Sequence, residues 1–314
     1  MKENKLNNKR SLLFYAAALL MCIALCGCLS SPLAKRSAAF GNAASLVIRD
    51  SSTAYDTVER TTYNANVSSL VLDFDDSGFD RNKIKPFLSP NDLEARQVVL
   101  RGLQSYSGDL AQVAGDQAFA PLDAQAKSLS QQIVTLTSNG ELKKLAPNVS
   151  EDEAKGLATA VDTLAKVLIE RKRKRELPRI IAKMQPVLER LCNLLDQDLG
   201  AKPTNGKGGH GLRDQLWNEY DTLIDNQTDY IQNNKDRLSP AEKAAEIAKL
   251  PQLVAQQQSA DASLASTQQA LRDLVETHRA LLSPQQDATF RTRLNMLIQD
   301  GQQIGQFYGS LASK

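Results

Sequence analysis

The chain has 314 residues, 42% of them hydrophobic and 24% charged, with a formal net charge of +2. That length allows one large domain or two with an ample buried core, and a charge so near neutrality excludes net charge as an argument for nucleic-acid binding. Two histidines and four cysteines leave few ways to assemble a metal or nucleophile centre.

The N-terminus carries the most specific signal. Lys2, Lys5, Lys9 and Arg10 form a positive region, followed by an apolar run from Leu12 to Leu25. The run is short for a membrane span, which needs about 20 apolar residues, but it suits the apolar part of a secretory leader. It ends in Leu25-Cys26-Gly27-Cys28. This tetrad resembles the lipobox of bacterial lipoproteins, with Cys26 the least usual of its letters. The resemblance implies cleavage before Cys28, acylation of its sulfur and new α-amino group, and a membrane partner held through those acyl chains. Leu29 and Ser30 follow, not Asp, which by resemblance to enteric lipoproteins implies the outer membrane, facing the periplasm, over the inner membrane. An ordinary signal peptide or a signal anchor with incidental cysteines is the alternative.

Residues 1–27 hold four cations and one acid, so the chain without them carries a formal charge of about −1. The slight basicity is a targeting feature, and no nucleic acid is expected as partner. Cys22 and Cys26 leave with the leader and Cys28 is acylated, which strands Cys192 without an intramolecular disulfide. Cys192 adjoins the stripe Leu188, Leu191 and Leu195 and reads as a small buried hydrophobe, with intermolecular pairing the minority reading.

Residues 28–36 read as a lipid-proximal tether, and 37–88 as an N-terminal helix with an acidic turn. In the helix Phe40, Ala44, Val47, Ser51, Ala54 and Val58 repeat at three and four. The pattern then weakens, and residues 68–72 could equally be extended. Asp73-Phe74-Asp75-Asp76-Ser77-Gly78 matches the first half of a calcium-binding loop, but Ile84 stands where a bidentate Glu is needed. An acidic interhelical turn explains the same letters, and no metal is expected.

Residues 89–314 read as the main helical bundle. Ser89-Pro90, Ser239-Pro240 and Ser283-Pro284 each place Ser at N-cap and Pro at the first helical position, with an acid or amide two residues later. Ser150-Glu151-Asp152-Glu153 is a capping box in the same idiom. Leu93, Val99, Leu100, Leu103, Tyr106 and Leu110 mark a helix from Ser89 to about Ala114, and Pro121–Thr137 resumes the pattern.

From Ser150 to Gly200 the chain lacks a turn signal. Its length predicts a helix of roughly 70 Å, the axis of the fold. Leu157, Val161, Leu164 and Leu168 form its seam, which changes phase before Leu177, Ile181, Met184, Leu188, Leu191 and Leu195. Pro178 and Pro186 predict bends there, and Pro251 another in the later long helix. Gly200–Gly211 reads as a flexible loop, without the spacing or preceding strand of a phosphate-binding loop.

A further helix is expected over 212–233, with Leu216, Tyr220, Leu223, Gln227 and Tyr230 on its seam. The next spans 239–282, with Leu250, Val254, Gln257, Asp261, Leu264, Gln268, Leu271, Val275 and His278. Its polar middle packs weakly, meets a crowded neighbour, or lines something. His278 reads as a packing histidine. The last helix places Phe290, Leu294, Leu297, Gly301, Ile304, Phe307 and Leu311 on one face. Together these patterns predict an all-α fold, an elongated antiparallel bundle with long, coiled-coil-like helices.

No arrangement of residues spells out a catalytic centre, so the expectation is a non-enzyme without cofactor. Arg171-Lys172-Arg173-Lys174-Arg175 covers more than a helical turn and reads as a solvated face or as a docking patch for anionic lipid, cell-wall polymer or an acidic protein. The first functional expectation is a lipid-tethered helical scaffold or protein-interaction module of the envelope, with those five cations as its contact surface. The alternative is a membrane-active helical protein that inserts into or remodels lipid. A small-molecule carrier built around Gln257 and Asp261 is a third, weaker reading.

Overall fold

A computed structural model describes residues 32–112, 177–204, 209–283 and 287–312. The fold is all-α. Among the described residues six α-helices follow in chain order: α1 (Pro32–Ser77), α2 (Pro90–Gln112), α3 (Leu177–Leu199), α4 (Gly211–Asn233), α5 (Pro240–Ala280) and α6 (Asp287–Ala312). Cys28, the Ser150 capping box and the run Arg171 to Arg175 lie outside the described residues, as does the helix expected over 121–137.

The organising element among the described residues is α1, whose 46 residues correspond to about 69 Å. It packs against α2, α4, α5 and α6. Its stripe Phe40, Ala44, Val47, Ala54 and Val58 is fully buried at the centre of the core, with Ser51 among it. The helix also continues through the Thr- and Asn-rich part where the periodicity faded. There Thr61 and Ser69 return their hydroxyls to the carbonyls of Thr57 and Ala65, at 3.0 and 3.1 Å. Asn66 donates to Lys85 O at 2.8 Å, and Asn226 of α4 to Ser69 Oγ at 3.0 Å. Tertiary partners thus override weak local propensity.

Two boundaries move. Residues 32–36, expected in the tether, form the first turn of α1. Ala34 is buried in the core, and Arg36 donates to Ala280 O at 2.7 Å, so these residues are committed to the fold. The acidic turn is also more ordered than its letters suggest. Asp73 is helical and pairs with Lys83 at 2.8 Å, and Gly78 (φ 66°) ends α1 by donating to Phe74 O. Asp80 then caps a short 3₁₀ turn (Arg81–Lys83), accepting from Asn82 N. Asp73 and Asp80 are thereby spent on helix ends.

The capped starts are realised where they are described. At α2, Ser89 Oγ accepts from Asp92 N. At α5, Ser239 and Glu242 make a full reciprocal capping box. The residues 284–286 that would begin the last cap lie outside the described ones.

Neighbour pairs fix the directions of the helices. α2 runs antiparallel to α1, with Ser52 bonded to Gln97 and Gly41 against the backbone of α2: a Cβ there would lie 2.3 Å from Ser107 O and 2.5 Å from Ala111 N. Gly41→Ala is therefore expected to destabilise by about 2 kcal/mol, because backbone must shift to admit the methyl. Gly108 faces open space, so Gly108→Ala is expected to stabilise by about 0.5–1 kcal/mol through helix propensity. Opposite shifts in chemical-denaturation midpoint would confirm the pair; equal shifts would refute it.

α3 and α4 correct the expected antiparallel succession. Along α3, Gln185 meets His278 and Gly200 meets Gln268 of α5. Along α4, Gln257 meets Trp217 and Glu246 meets Gln227. Both helices run against α5 and hence in the same direction, one beyond the other. The joint is the Gly200–Gly211 segment, whose ends are clasped where flexibility was expected. Ala201 and His210 exchange backbone hydrogen bonds of 2.9 and 3.0 Å. Gly200 and Gly211 adopt φ of 69° and 73°, and a Cβ on Gly200 would fall 1.8 Å from His210 O. Only glycine permits that contact.

Pro32, Gln112, Leu177 and the α5–α6 turn consequently lie at one end of the fold. Ser77 and the α4–α5 turn lie toward the other, where among the described helices α4 and α5 flank α1. The seam thins there: Leu250, Gln227 and Tyr230 are half-buried and Val254 is 38% exposed, although all were expected inside. On α6 the buried line is Phe290, Leu297, Gly301, Ile304 and Tyr308, with Leu294 and Phe307 at its edge.

Candidate functional site

Three places where function could reside fall within the described residues: the polar seam of α5, the buried His278 and Cys192, and the surface at the two ends of the fold.

The seam is filled from within. Asp261 accepts from Arg213 Nε at 2.7 Å and lies 3.4 Å from Lys202 Nζ. Arg213 also reaches Gln268 Oε1 at 2.9 Å. The amide of Gln268 donates to Asp196 O and Gly200 O at 2.9 and 3.0 Å. One turn up, Gln257 donates to Asp221 Oδ1 at 2.7 Å and to Trp217 O. Lys202 lies over the Trp217 ring, 5.2 Å from its centroid.

These groups satisfy the exposed carbonyls at the end of α3 and the charges around the glycine clasp. Burying them without such partners would cost several kcal/mol. The seam's polar letters therefore specify the α3–α4 joint. Sequence could flag the polar interruption, but its partners lie 36 to 72 residues away.

His278 is fully buried. Its Nδ1 lies 2.6 Å from Gln185 Oε1 and its Nε2 2.7 Å from the Tyr106 hydroxyl. Since a carbonyl oxygen can only accept, the ring carries its proton on Nδ1, and Nε2 accepts from Tyr106. Phe40 meets the imidazole edge-on at 5.2 Å. Burial pushes the histidine down to about 3, so it is neutral and knits α1, α2, α3 and α5 together. Cys192 is likewise buried, and desolvation raises its thiol to about 12. A thiol held protonated is an inert packing group.

A second buried polar knot joins the other face of α1. Asp198 accepts from Arg96 Nη2 and from the Tyr55 hydroxyl, each at 2.7 Å, and Arg96 Nε completes the fork. Sequence reasoning missed it, because nothing local distinguishes these three residues from surface neighbours.

At the far end, a groove of about 200 Å³ lies between α1, α4 and α5. Glu246, Lys249 and Gln227 occupy its rim and bond to one another at 2.6 to 2.9 Å. Among the described residues no group of three or more His, Cys, Asp or Glu could hold a metal ion, and no helix is long and apolar enough to cross a membrane. No family model, curated protein or solved structure matches the chain.

Proposed function

We propose that the chain is an envelope lipoprotein, a non-catalytic helical scaffold or interaction module held at the membrane through acyl chains on Cys28. The observation that carries this reading is the leader ending in Leu25-Cys26-Gly27-Cys28, close before the core-packed helix α1, which is described from Pro32 onward. Only four residue steps separate Cys28 from a helix that enters the core, a reach of at most about 14 Å. An acylated Cys28 would hold the bundle directly against the bilayer, not on a long leash. The buried polar side chains support the scaffold part, since they hold helices to one another.

The run Arg171 to Arg175 remains the proposed contact surface for an acidic protein, anionic lipid or cell-wall polymer. Its last cation is two residues from Leu177, which is buried at the same end as Pro32.

In cells given labelled palmitate, the chain is expected to take up label and to fractionate with membranes, the outer membrane foremost. Cys28→Ala should abolish the label and release the protein into the soluble fraction. Retention of the unlabelled variant in the membrane fraction would overturn the anchor. Photo-crosslinking from positions 171 to 175 then names the partner, and five silent positions would remove this surface from the proposal.

A further inference from the structure

We infer that the Pro32 end of the bundle is itself a docking surface for anionic lipid headgroups, built from exposed cations on three helices. Lys35 of α1, Arg179 and Lys183 of α3, and Arg291 of α6 are all exposed in the first described turns at that end. Their shared location follows from the core contacts. Arg36, next to Lys35, donates to Ala280 O and Ser283 O and lies 4.7 Å from the Phe290 ring centroid, which places Arg291 beside it. Gln185 bonds His278, which touches Phe40, so the α3 turns preceding Gln185 lie level with the start of α1.

The acids near this end are fewer. Glu189 and Glu276 sit further along α3 and α5, in ion pairs with Arg279 and Arg293. Asp109 is half-buried on α2, and Asp287 opens α6. Leu282, 37% exposed in the α5–α6 turn, adds an apolar side chain to the same surface.

The opposite end carries both signs, with Lys235 and Arg237 exposed beside Asp236 in the α4–α5 turn. Asp221, Asp225 and Asp229 are exposed at four-residue spacing along α4, on one helical face. Headgroup fields decay within about 8 Å at physiological ionic strength. Only cations in the first turns can feel them, and those are the turns the tether holds near the bilayer. This surface deepens the lipoprotein reading and rests on it for the direction in which the end faces; its charge and exposure do not depend on acylation.

The test uses the chain from residue 29 onward, without leader or acyl group, and vesicles of phosphatidylcholine with or without phosphatidylglycerol. Cosedimentation is expected with the anionic vesicles only, weakening as salt rises. Each cation near an anionic surface contributes roughly fivefold in affinity, so Lys35→Gln with Arg179→Gln should weaken binding at least tenfold. Lys235→Gln with Arg237→Gln, exposed at the far end, should leave it unchanged. Equal binding to neutral vesicles, no binding at all, or equal losses from the two pairs would overturn the surface. Loss of palmitate labelling at Cys28 would refute the anchor alone, because this assay contains no acyl group.

Discussion

Lowering the pH from 7 to 5 is expected to cost the fold about 2 kcal/mol through His278 alone, and continuing to pH 3 about 4 kcal/mol. The folded protein holds this imidazole at about 3, whereas an unfolded chain titrates near 6.5. A depressed value means that the fold favours the neutral ring. Its contribution is complete above pH 6.5 and is lost progressively as pH falls toward 3. The geometry agrees, since a proton on Nε2 would meet the hydroxyl hydrogen of Tyr106, which must then rotate away inside the core.

Four carboxyl groups work in the other direction. Burial raises Asp50, Asp56, Asp300 and Glu219 above their ordinary values. They favour the fold most at low pH and lose that contribution as pH rises through their folded values. They blunt the acid loss but do not cancel it, because they remain partly solvated and His278 does not. Urea midpoints of the parent and of His278→Gln across pH 7 to 4 decide the matter. The variant should be less stable at pH 7 and lose less on acidification. Identical pH slopes for the two proteins would exclude His278 as the cause.

The second large effect concerns Asp198. Removing it by Asp198→Ala should destabilise by about 3–5 kcal/mol, since Arg96 would keep its charge in the core without a counter-ion. Arg96 is 6% exposed, and its remaining partner is Asp92 O at 3.0 Å. Tyr55 would lose its acceptor as well; burial raises this phenol well above its ordinary value, so it stays a donor. Asp198 also sits one residue from the end of α3, where the helix dipole disfavours a carboxylate, and Arg96 is what offsets that. Combining Asp198→Leu with Arg96→Met should recover most of the loss, because an apolar pair leaves no orphan charge. A double variant as unstable as the two single losses added together would refute the coupling.

Local chemistry fixed a large part of the fold. The seam of α1 from Phe40 to Val58 and that of α3 from Leu177 to Leu195 are buried as their three-four spacing predicts. Gly200 ends α3 in the left-handed region, and Pro186 lies inside that helix, with Pro178 in its first described turn. Ser89 and Ser239 cap the helices they were expected to cap. Each of these signals lies within a few residues of the structure it specifies, so one sequence is enough to read it. The site is a different case. The cations of the Pro32 end are single letters scattered over α1, α3 and α6, and none belongs to a run.

What the sequence determined by itself is therefore the all-α class, the capped helix starts at Ser89 and Ser239, and the faces that α1 and α3 hide. Tertiary structure alone decided which face meets which. Among the described residues it made α1 the centre, and it set α3 and α4 in one direction. It turned Gln257, Asp261 and Gln268 from a weak seam into the fastening of a glycine clasp. The reason is one of range. Helix periodicity and capping are satisfied by neighbours in the chain. A buried amide or guanidinium is satisfied only by whatever the packing brings to it, and here that partner stands tens of residues away or more.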